Sequence, residues 1–489
     1  MAAQAHARDC EGKPYKRWVL VAVLLLGTFC VVVNHLMIVT ALPGIMHDFQ
    51  IDADTGQWLT SGFLLTNGIM IPVTGMLMHR INSKRLFMAA MLIFLVGTII
   101  AVSAPNFPLL LCGRVVQAAA TGMEMPLMQT ILLLIFQKHE RGLAMGLEGL
   151  VLALGRVVGP AMAGWVMDHF NWRILFCLFL PVVLVILRLA SKSMRNVVPL
   201  DPKRIDPLSL LLSTLGFGAL LFGFSSVGHH GWSSRLVIVS LVIGAGCVSL
   251  FIWRELTIDN PMLNLKVLRS PLFCLSAIIC AVVMIAMFGA ELMLPLYIQN
   301  VRGQSALFSG LMMVPGAAIM GLMCPLSGIV FEKIGVRKLA ITGMGLLTMA
   351  TIPFVFLTMS TEIGALTTLY AVRLLGVSLV LTPITTAGMN TLPEEWMGDG
   401  TAVTNTLRTI CGAIGTAVLI SVMSDVTKSE MPAKTMFGID PHLNRVLKTD
   451  AVLNGVNAAF LVALGFCIVA WALTFFIKEK PRSDSFDQD

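Results

Sequence analysis

Seven acidic or arginine side chains interrupt the long apolar stretches of this 489-residue sequence. Three are acidic and four are arginines: Glu124, Glu148, Glu291, Arg114, Arg156, Arg373 and Arg408. A carboxylic acid among apolar groups can bind and release a proton, and a guanidinium group can pair with that acid or with a charged ligand. Because a charge in hydrocarbon costs about 2.5–3.5 kcal/mol, such residues are candidates for function.

Glu124 follows Arg114 by ten residues within one apolar stretch. Burial favours the neutral acid, whereas a nearby guanidinium favours the carboxylate. A contact between Arg114 and Glu124 that forms and breaks would therefore change the affinity for a proton. The spacing predicts a role in proton coupling or substrate binding, and a static buried ion pair is the alternative.

Glu148 and Arg156 are eight residues apart. On one helix their directions differ by about 80°, so both can line one cavity. We predict an acidic partner for Arg156, with a purely structural pair as the alternative. Glu291 lies near the end of its apolar stretch, where it would either attract cations or simply be wetted at the interface. Arg408 would either serve a site or extend to water from the start of its helix.

Asn34 and His35 are adjacent polar residues in the apolar stretch "CVVVNHLMIVTALPGI". An asparagine can form hydrogen bonds but cannot exchange a proton at physiological pH. A histidine can, because free imidazole titrates near pH 6.5. His35 lies about 100° further round the helix, so it either takes part in proton exchange or packs, hydrogen-bonded, against a neighbouring helix.

Composition indicates which elements hold these residues. The chain is 56% hydrophobic and 12% charged, and its apolar residues come in runs of about 20, the length of helix that crosses a bilayer. We predict an all-α polytopic membrane protein whose net charge of +7 faces anionic lipid in the loops and forms no nucleic-acid surface. The basic N-terminus lacks a cleavage signal, which favours a retained first helix. The cysteines include no CxxC pair, and no metal or cofactor is predicted.

Polar breaks divide the chain into candidate spans at about 18–42, 55–78, 86–104, 107–134, 142–166, 172–190, 207–227, 236–254, 270–297, 306–330, 338–358, 364–391, 401–424 and 453–477. These are fourteen, and an even number places both termini on one side. Most of the 34 Lys and Arg residues lie in the tails and loops of that side. This asymmetry predicts that both termini are cytoplasmic.

One loop pattern occurs twice. "GMLMHRINSKR" (75–85) and "GIVFEKIGVRK" (328–338) both begin with glycine, carry a cation at the sixth position and end in basic residues. Such repeats predict two related halves with a substrate site between them. The predicted organisation is a tail (1–17), a six-helix half (18–190), a linker with two extra helices (191–269), a second six-helix half (270–477) and a tail (478–489).

At these positions the sequence resembles the major facilitator superfamily, and within it the 14-helix drug:proton antiporters. Segment 75–85 resembles the signature loop G-x-L-x-D-R-x-G-R-R, and "RVVQAAATGMEMP" (114–126) resembles R-x-x-Q-G-x-G of the fourth helix. "GRVVGPAMAG" (155–164) resembles the antiporter motif G-x-x-x-G-P-x-x-G-G, and "NHLMIVTALPGI" (34–45) resembles D-x-T-x-V-N-V-A-L-P. The resemblance implies the major facilitator fold, two six-helix halves with two extra helices between them.

The resemblance also implies a multi-pass exporter in the bacterial inner membrane, which moves lipophilic, often cationic, compounds against proton influx. It assigns conformational change to the motif residues Gly75, His79, Arg80, Arg85, Gly155, Gly159, Pro160, Gly164, Gly328, Glu332 and Lys333. We assign proton coupling to Glu124, Glu148, Arg114, Glu291 and His35, and the substrate cavity to Asn34, Met37, Met123, Glu124, Arg156 and Glu291.

Two departures from the family pattern affect these assignments. The family's first-helix Asp falls on Asn34, which removes a carboxylate where the family is thought to bind protons or cations. The family's loop Asp falls on His79, which removes a charge that would pair or cap across the cytoplasmic face. The latch on that face is therefore expected to be weaker or to use other partners.

The predicted function is secondary active transport by a monomer, with small lipophilic substrates, protons and membrane lipids as partners. The alternative keeps the fold and exports a lipid, a lipid precursor or an endogenous metabolite with altered proton coupling. A receptor or scaffold without transport is disfavoured because nothing in the loops looks like a folded domain and the tails are short. An ATP-driven pump is disfavoured by the lack of a G-x-x-x-x-G-K-[ST] loop, and no hydrolase motif indicates an enzyme.

Overall fold

The computed structural model describes most of the chain, namely residues 7–10, 12–200, 206–258, 261–431 and 441–478. The parts of the predicted organisation that lie outside the described residues are 1–6 and 11 in the N-terminal tail, 201–205 and 259–260 in the linker, 432–440 in the loop 425–452, and 479–489 in the C-terminal tail. The described residues are almost entirely helical.

The helices are α1 (Arg17–Phe49), α2 (Ala53–Arg80), α3 (Ser83–Val102), α4 (Phe107–Ile135), α5 (Arg141–His169), α6 (Arg173–Cys177), α7 (Phe179–Ser193), α8 (Pro207–His230), α9 (Arg235–Thr257), α10 (Pro271–Leu296), α11 (Ala306–Ile334), α12 (Val336–Thr351), α13 (Ile363–Met389), α14 (Met397–Glu430) and α15 (Pro441–Thr474). Short 3-10 or π turns cover Leu265–Arg269, Tyr297–Val301, Ile352–Phe356 and Glu394–Trp396, and a two-residue strand pair joins β1 (Ala7–Arg8) to β2 (Pro14–Tyr15).

Within the described residues, fourteen helical segments are long and apolar enough to span a membrane, with α6 and α7 forming one of them. The predicted all-α polytopic class is confirmed. A helix suits hydrocarbon because it satisfies its backbone hydrogen-bonding groups within one segment, where no water is available to do so. Polar caps set several starts: Asn106 accepts a bond from the Leu109 amide before α4, and Ser305 accepts one from the Phe308 amide before α11.

The last two spans are longer than predicted. Helix α14 starts at Met397 instead of about 401 and runs to Glu430, and α15 starts at Pro441 instead of about 453. Much of the predicted loop 425–452 is thus helical. A 34-residue helix is about 51 Å long, whereas the hydrocarbon is about 30 Å thick. The run of apolar residues in the sequence marks only the part of such a helix that lies in the hydrocarbon, and not the ends that extend beyond it.

The apolar core forms separate groups along the chain. The first cluster of buried residues runs from Tyr15 to Val198, and the second lies between Ile279 and Ile477 with Ala153 as its one member from the earlier helices. A third cluster combines residues of α2, α4 and α5 with residues of α8, α9, α10, α13 and α14. We call α1–α7 the first group of helices and α10–α15 the second group. The third cluster contains residues of both, so it joins the two groups through a shared apolar patch.

Helices α5 and α11 form the closest contact between the groups. We call the face where α1 begins and α15 ends the termini side. There, a Cβ on Gly142 would overlap the Gly328 carbonyl oxygen, and a Cβ on Gly146 would lie 2.5 Å from the Cα of Pro325. Towards the other ends of these helices, a Cβ on Gly164 or Gly310 would meet no atom within 4 Å. The pair is closed on the termini side and looser on the opposite side.

The extra helices α8 and α9 form a hairpin. Helix α8 packs on α2, where Gly218 faces Ile69, and on α14, where Gly228 faces Ile420. Asp206, just before α8, accepts two bonds from Arg254, at 2.5 and 3.1 Å. These bonds hold the pKa of Asp206 well below its usual range. The hairpin thus covers the seam between α2 and α14.

Candidate functional site

Arg114 and Asn34 are in direct contact inside the first group of helices. Arg114 is fully buried, and its Nη1 donates to Asn34 Oδ1 at 2.8 Å and to Gln117 Oε1 at 3.0 Å. Gln117 Nε2 in turn donates to Thr98 Oγ1 at 2.9 Å. Asn34, which stands where the family has a carboxylate, thus accepts a hydrogen bond from Arg114 through an uncharged amide oxygen. Among the described residues, no carboxylate pairs with Arg114.

Phe63 of α2 lies beside both Arg114 and His35. The guanidinium carbon is 4.4 Å from the ring centroid, a cation–π distance, and the His35 ring stacks on Phe63 with centroids 4.4 Å apart. His35 Nδ1 is buried without a hydrogen-bond partner. His35 thus packs against the neighbouring helix α2, which was one of the two alternatives. The contact is a ring stack on Phe63 and not the expected hydrogen bond.

Glu124 is separate from Arg114, so the predicted contact between them is not formed. Ten residues of helix place them about 15 Å apart along α4. Glu124 is fully buried, and its Oε1 accepts a bond from Thr28 Oγ1 at 3.1 Å, while Oε2 has no hydrogen-bond partner. Helix α4 therefore makes two separate polar contacts with α1, one through the acidic Glu124 and one through the cationic Arg114.

Glu148 begins a chain of hydrogen bonds that crosses between the two groups of helices. Gln129 Nε2 of α4 donates to Glu148 Oε1 at 2.5 Å, and Asn405 Nδ2 of α14 donates to Gln129 Oε1 at 2.6 Å. Asn405 Nδ2 also donates to the Thr401 carbonyl at 2.9 Å. We call Gln129 and Asn405 the amide bridge. Glu148 is 4% exposed and has no ion-pair partner among the described residues.

The sequence-based predictions include neither residue of the amide bridge, because the ionisable groups and Asn34 were the polar residues singled out within the spans. A signal was available: Gln129 and Asn405 are uncharged amides in apolar helices, and burying an amide without a partner is costly. A neighbouring contact, Thr130 Oγ1 to Thr401 Oγ1 at 2.7 Å, crosses the same interface.

Arg156 and Glu291 form an ion pair between α5 and α10, with Nε and Oε1 3.4 Å apart. Their side chains are 26% and 22% exposed. Arg156 Nη1 also lies 3.4 Å from Met320 Sδ on α11. The acidic partner predicted for Arg156 is thus Glu291 and not Glu148, and the pair links the two groups of helices.

The remaining embedded arginines bond to neutral groups. Arg373 Nη2 donates to the Ala286 carbonyl at 3.1 Å, and Arg408 Nη2 donates to Thr385 Oγ1. The idea that Arg408 reaches water from a helix start is wrong, because α14 begins at Met397 and places Arg408 three turns inside it.

His79 and Asp399 pair across the termini side. His79 Nε2 lies 3.2 Å from Asp399 Oδ2, and Asp399 is fully buried. Asp399 Oδ1 accepts a bond from the Asn264 amide at 3.1 Å, which ties in the segment after α9. A Cβ on Gly75 would lie 2.9 Å from Ala402 Cβ, so α2 and α14 approach closely here. Position 79 has no carboxylate, but this contact contains one, because Asp399 of α14 lies opposite His79.

Arg141 adds a second link on the termini side. Its Nη1 donates to Asn390 Oδ1 at 3.1 Å, and its Nη2 lies 3.6 Å from Glu394 Oε1. Its Nε donates to the Leu133 carbonyl at 2.6 Å. Because Arg141 begins α5 and Asn390 follows α13, this side chain joins the two groups of helices.

The other predicted motif residues have varied surroundings. A Cβ on Gly155 would lie 2.5 Å from Val32 Cγ1, and one on Gly159 would lie 3.1 Å from Leu36 Cβ, so both glycines allow close packing of α5 on α1. Gly164 has open space. Half-buried residues are Arg80, Pro160 and Glu332, and exposed ones are Arg85 and Lys333.

Met37 and Met123, expected to line the cavity, lie instead in the first apolar cluster. Met37 is fully buried and Met123 is 4% exposed. Both side chains fill space between closely packed helices, the usual role of a flexible thioether.

Comparison with known proteins identifies the family. The family model described as Major Facilitator Superfamily matches residues 24–416. The chain belongs to this superfamily. Its members are transporters and not enzymes, and the fourteen apolar helices agree with a polytopic membrane protein of this kind.

Two curated relatives span nearly the whole chain. The uncharacterized MFS-type transporter YcnB of Bacillus subtilis (strain 168) is 44% identical, covering 96% of this chain and 97% of the relative. The lincomycin resistance protein LmrB of the same organism is 37% identical, covering 95% and 96%. The crystal structure of the human organic anion transporter MFSD10 (TETRAN) matches with a TM-score of 0.66 at 14% identity, covering 94% of this chain and 99% of that one, which shows a shared fold.

Proposed function

We propose that this transporter exports lipophilic compounds in exchange for protons, by opening one site alternately to either side of the membrane. Glu148 carries the proposal. It is a carboxylate within a membrane span, it has no cationic partner at ion-pair distance among the described residues, and its hydrogen-bond chain crosses to the other group of helices. A proton bound there would act at the contact that must open and close. The relative named for lincomycin resistance supports drug export.

We place the termini side in the cytoplasm of a bacterial cell, because the Lys and Arg residues concentrate there. With this orientation, the close contact of α5 and α11 at Gly142 and Gly328 closes the cytoplasmic side. The described state would then be open towards the outside, ready to release substrate and to accept a proton. We propose that the two halves, 18–190 and 270–477, are the units that rock.

The other embedded residues have supporting roles in this proposal. Glu124, with an unpaired buried oxygen, is a second proton acceptor. The partly exposed pair of Arg156 and Glu291 would open to admit or release substrate, with Glu291 favouring cationic compounds. Asn34 holds Arg114 in place without carrying a proton.

Asn34 also supports a second candidate function, export of a lipid, lipid precursor or endogenous metabolite with altered proton coupling. The family's first-helix carboxylate is replaced by an amide that already bonds to Arg114. Fewer titratable groups would then take part in each cycle. The cargo could differ accordingly from that of relatives that keep the acid.

The test is dye uptake into inside-out vesicles, with the pH gradient and the membrane potential imposed separately. We expect a lumen-acid gradient alone to drive uptake of a lipophilic cation, and dye addition to release protons from the lumen. Glu148→Gln should abolish both, whereas Glu362→Gln, which changes an exposed carboxylate, should abolish neither. If no lipophilic compound moves protons, proton exchange is wrong. If Glu148→Gln still exchanges protons, the site assignment is wrong.

A further inference from the structure

The hydrogen bonds of the amide bridge have a fixed order of donors and acceptors across the interface between the halves. An ionised carboxylate accepts hydrogen bonds only, so Glu148 requires the NH₂ group of Gln129. The Gln129 oxygen must then face Asn405, whose NH₂ group supplies the donor at 2.6 Å. Asn405 is itself held in this orientation because the same nitrogen donates to the Thr401 carbonyl. The two hydrogen bonds that link Asn405 to Gln129 and Gln129 to Glu148 therefore both have their donor on the side away from Glu148.

Protonation of Glu148 disturbs this order. The bond from Gln129 loses its charge assistance, which makes such bonds about twice as strong as neutral ones. The new carboxylic O–H is a donor and competes for the Gln129 oxygen. If Gln129 turned to accept it, its NH₂ group would face the NH₂ group of Asn405. Asn405 cannot turn in response without presenting its oxygen to the Thr401 carbonyl.

We propose that Gln129 and Asn405 transmit the protonation state of Glu148 to the contact between the two halves, so that proton binding loosens closure of the termini side. Both are positioning residues, since neither exchanges the proton. The inference rests on the proposed function. It fits an exporter, because a proton arriving from outside would favour opening towards the cytoplasm, where the proton is released and substrate binds.

The surroundings of Glu148 allow this role. Helix α14 contributes the charge of Arg408, α11 contributes the thiol of Cys324, and α4 contributes only the amide of Gln129. Helix α13 places the Thr382 hydroxyl beside Gly149, and α1 faces α5 with apolar groups at Gly155 and Gly159. Of the described residues, Glu148 is the one carboxylate in hydrogen-bond contact with the bridge.

The bridge also lies where loosening matters. Gln129 is followed on α4 by Thr130, which contacts Thr401 at 2.7 Å across the interface. Asn405 is about 1.7 turns along α14 from Asp399, which pairs with His79 at 3.2 Å. Weakening the bridge therefore releases a helix that holds two further contacts between the halves.

The test measures the distance between spectroscopic labels at Lys138 and Lys338, two exposed residues on the termini side of the two halves. Noncanonical amino acids would carry the labels, so that the native cysteines remain. In lipid nanodiscs, we expect the ratio of open to closed molecules to rise by about tenfold on acidification, the effect of losing one charge-assisted bond. Gln129→Leu and Asn405→Leu should raise the ratio at all pH values and remove most of its pH dependence.

Two further variants separate transmission from general damage. Asn457→Leu removes an amide bond of 3.0 Å to the Leu357 carbonyl within the second group of helices, and its pH dependence should match the wild type. Exchanging the acid and the amide, as Gln129→Glu with Glu148→Gln, keeps a carboxylate next to an amide and should restore part of the pH dependence.

Wild-type pH dependence in both Gln129→Leu and Asn405→Leu would overturn the inference, as would a pH dependence in Glu148→Gln that is as large as in the wild type. Failure of the proposed function looks different. If vesicles show no substrate-driven proton movement while the label distances depend on pH and on the bridge, the transmission stands and the exchange reaction is wrong.

Discussion

Replacing Gly142 by alanine tests whether the glycine contact between α5 and α11 sets the closed state of the termini side. The added Cβ would overlap the Gly328 carbonyl oxygen and lie 3.2 Å from the Gly328 Cα. These neighbours are backbone atoms, so they can give way only if the helices separate. Overpacking of this kind costs about 1–3 kcal/mol. The ratio of open to closed molecules should therefore rise roughly 5- to 150-fold.

Cys324 offers a native probe of that opening. Its side chain is 2% exposed and lies in the same interface, where a Cβ on Gly149 would be 2.6 Å from its Sγ. A membrane-impermeant maleimide applied to the termini side of oriented vesicles should alkylate it only when the halves separate. The Cys324→Ala variant gives the background from other cysteines.

Gly164→Ala is the matched control, because it changes the same helix where a Cβ meets no atom within 4 Å. We expect Gly142→Ala to raise the alkylation rate and Gly164→Ala to leave it unchanged. An unchanged rate in Gly142→Ala, or an equal increase in both variants, would refute the reasoning that close glycine packing holds this side shut.

Three further predictions follow from other contacts. Asn34→Asp places a carboxylate against the buried arginine that now bonds to the amide at 2.8 Å; it should change the dependence of dye transport on the imposed pH gradient, and an indifferent variant would make Asn34 purely structural. His79→Leu leaves the buried Asp399 without its 3.2 Å partner, so the free energy of unfolding in detergent should fall by about 1–3 kcal/mol, and an unchanged Tm would contradict this. Arg254 holds the pKa of Asp206 below its usual 3.8, so their bond stabilises the fold above that pH and is lost on acidification below it. Asp206→Asn should therefore remove the fall in Tm that this protonation causes at low pH. Identical curves of Tm against pH for the variant and the wild type would disprove the prediction.

The sequence was sufficient for the spans because each one must supply about 20 apolar residues, and that requirement is visible without any tertiary contact. It was less sufficient for helix ends. Met397–Thr401 is polar enough to resemble a loop, yet it forms the first turns of α14 where it packs on α2.

The site was predictable as a set of residues and not as a set of pairs. Arg156 required an acidic partner on electrostatic grounds, but only packing selects Glu291. Arg114 and Glu124 looked like partners because they share a helix, whereas their contacts are Asn34 and Thr28 on another helix. Contacts across helices depend on how the helices are rotated and offset, which one sequence does not specify.

The α8–α9 hairpin makes the two flanks of the bundle unequal. It packs over the seam between α2 and α14, while the seam between α5 and α11 is built from glycines and backbone. A lipophilic molecule diffusing in the bilayer would meet an additional wall on the first flank. The interface between α2 and α14 is therefore separated from lipid by an additional pair of helices, which do not pack on the interface between α5 and α11.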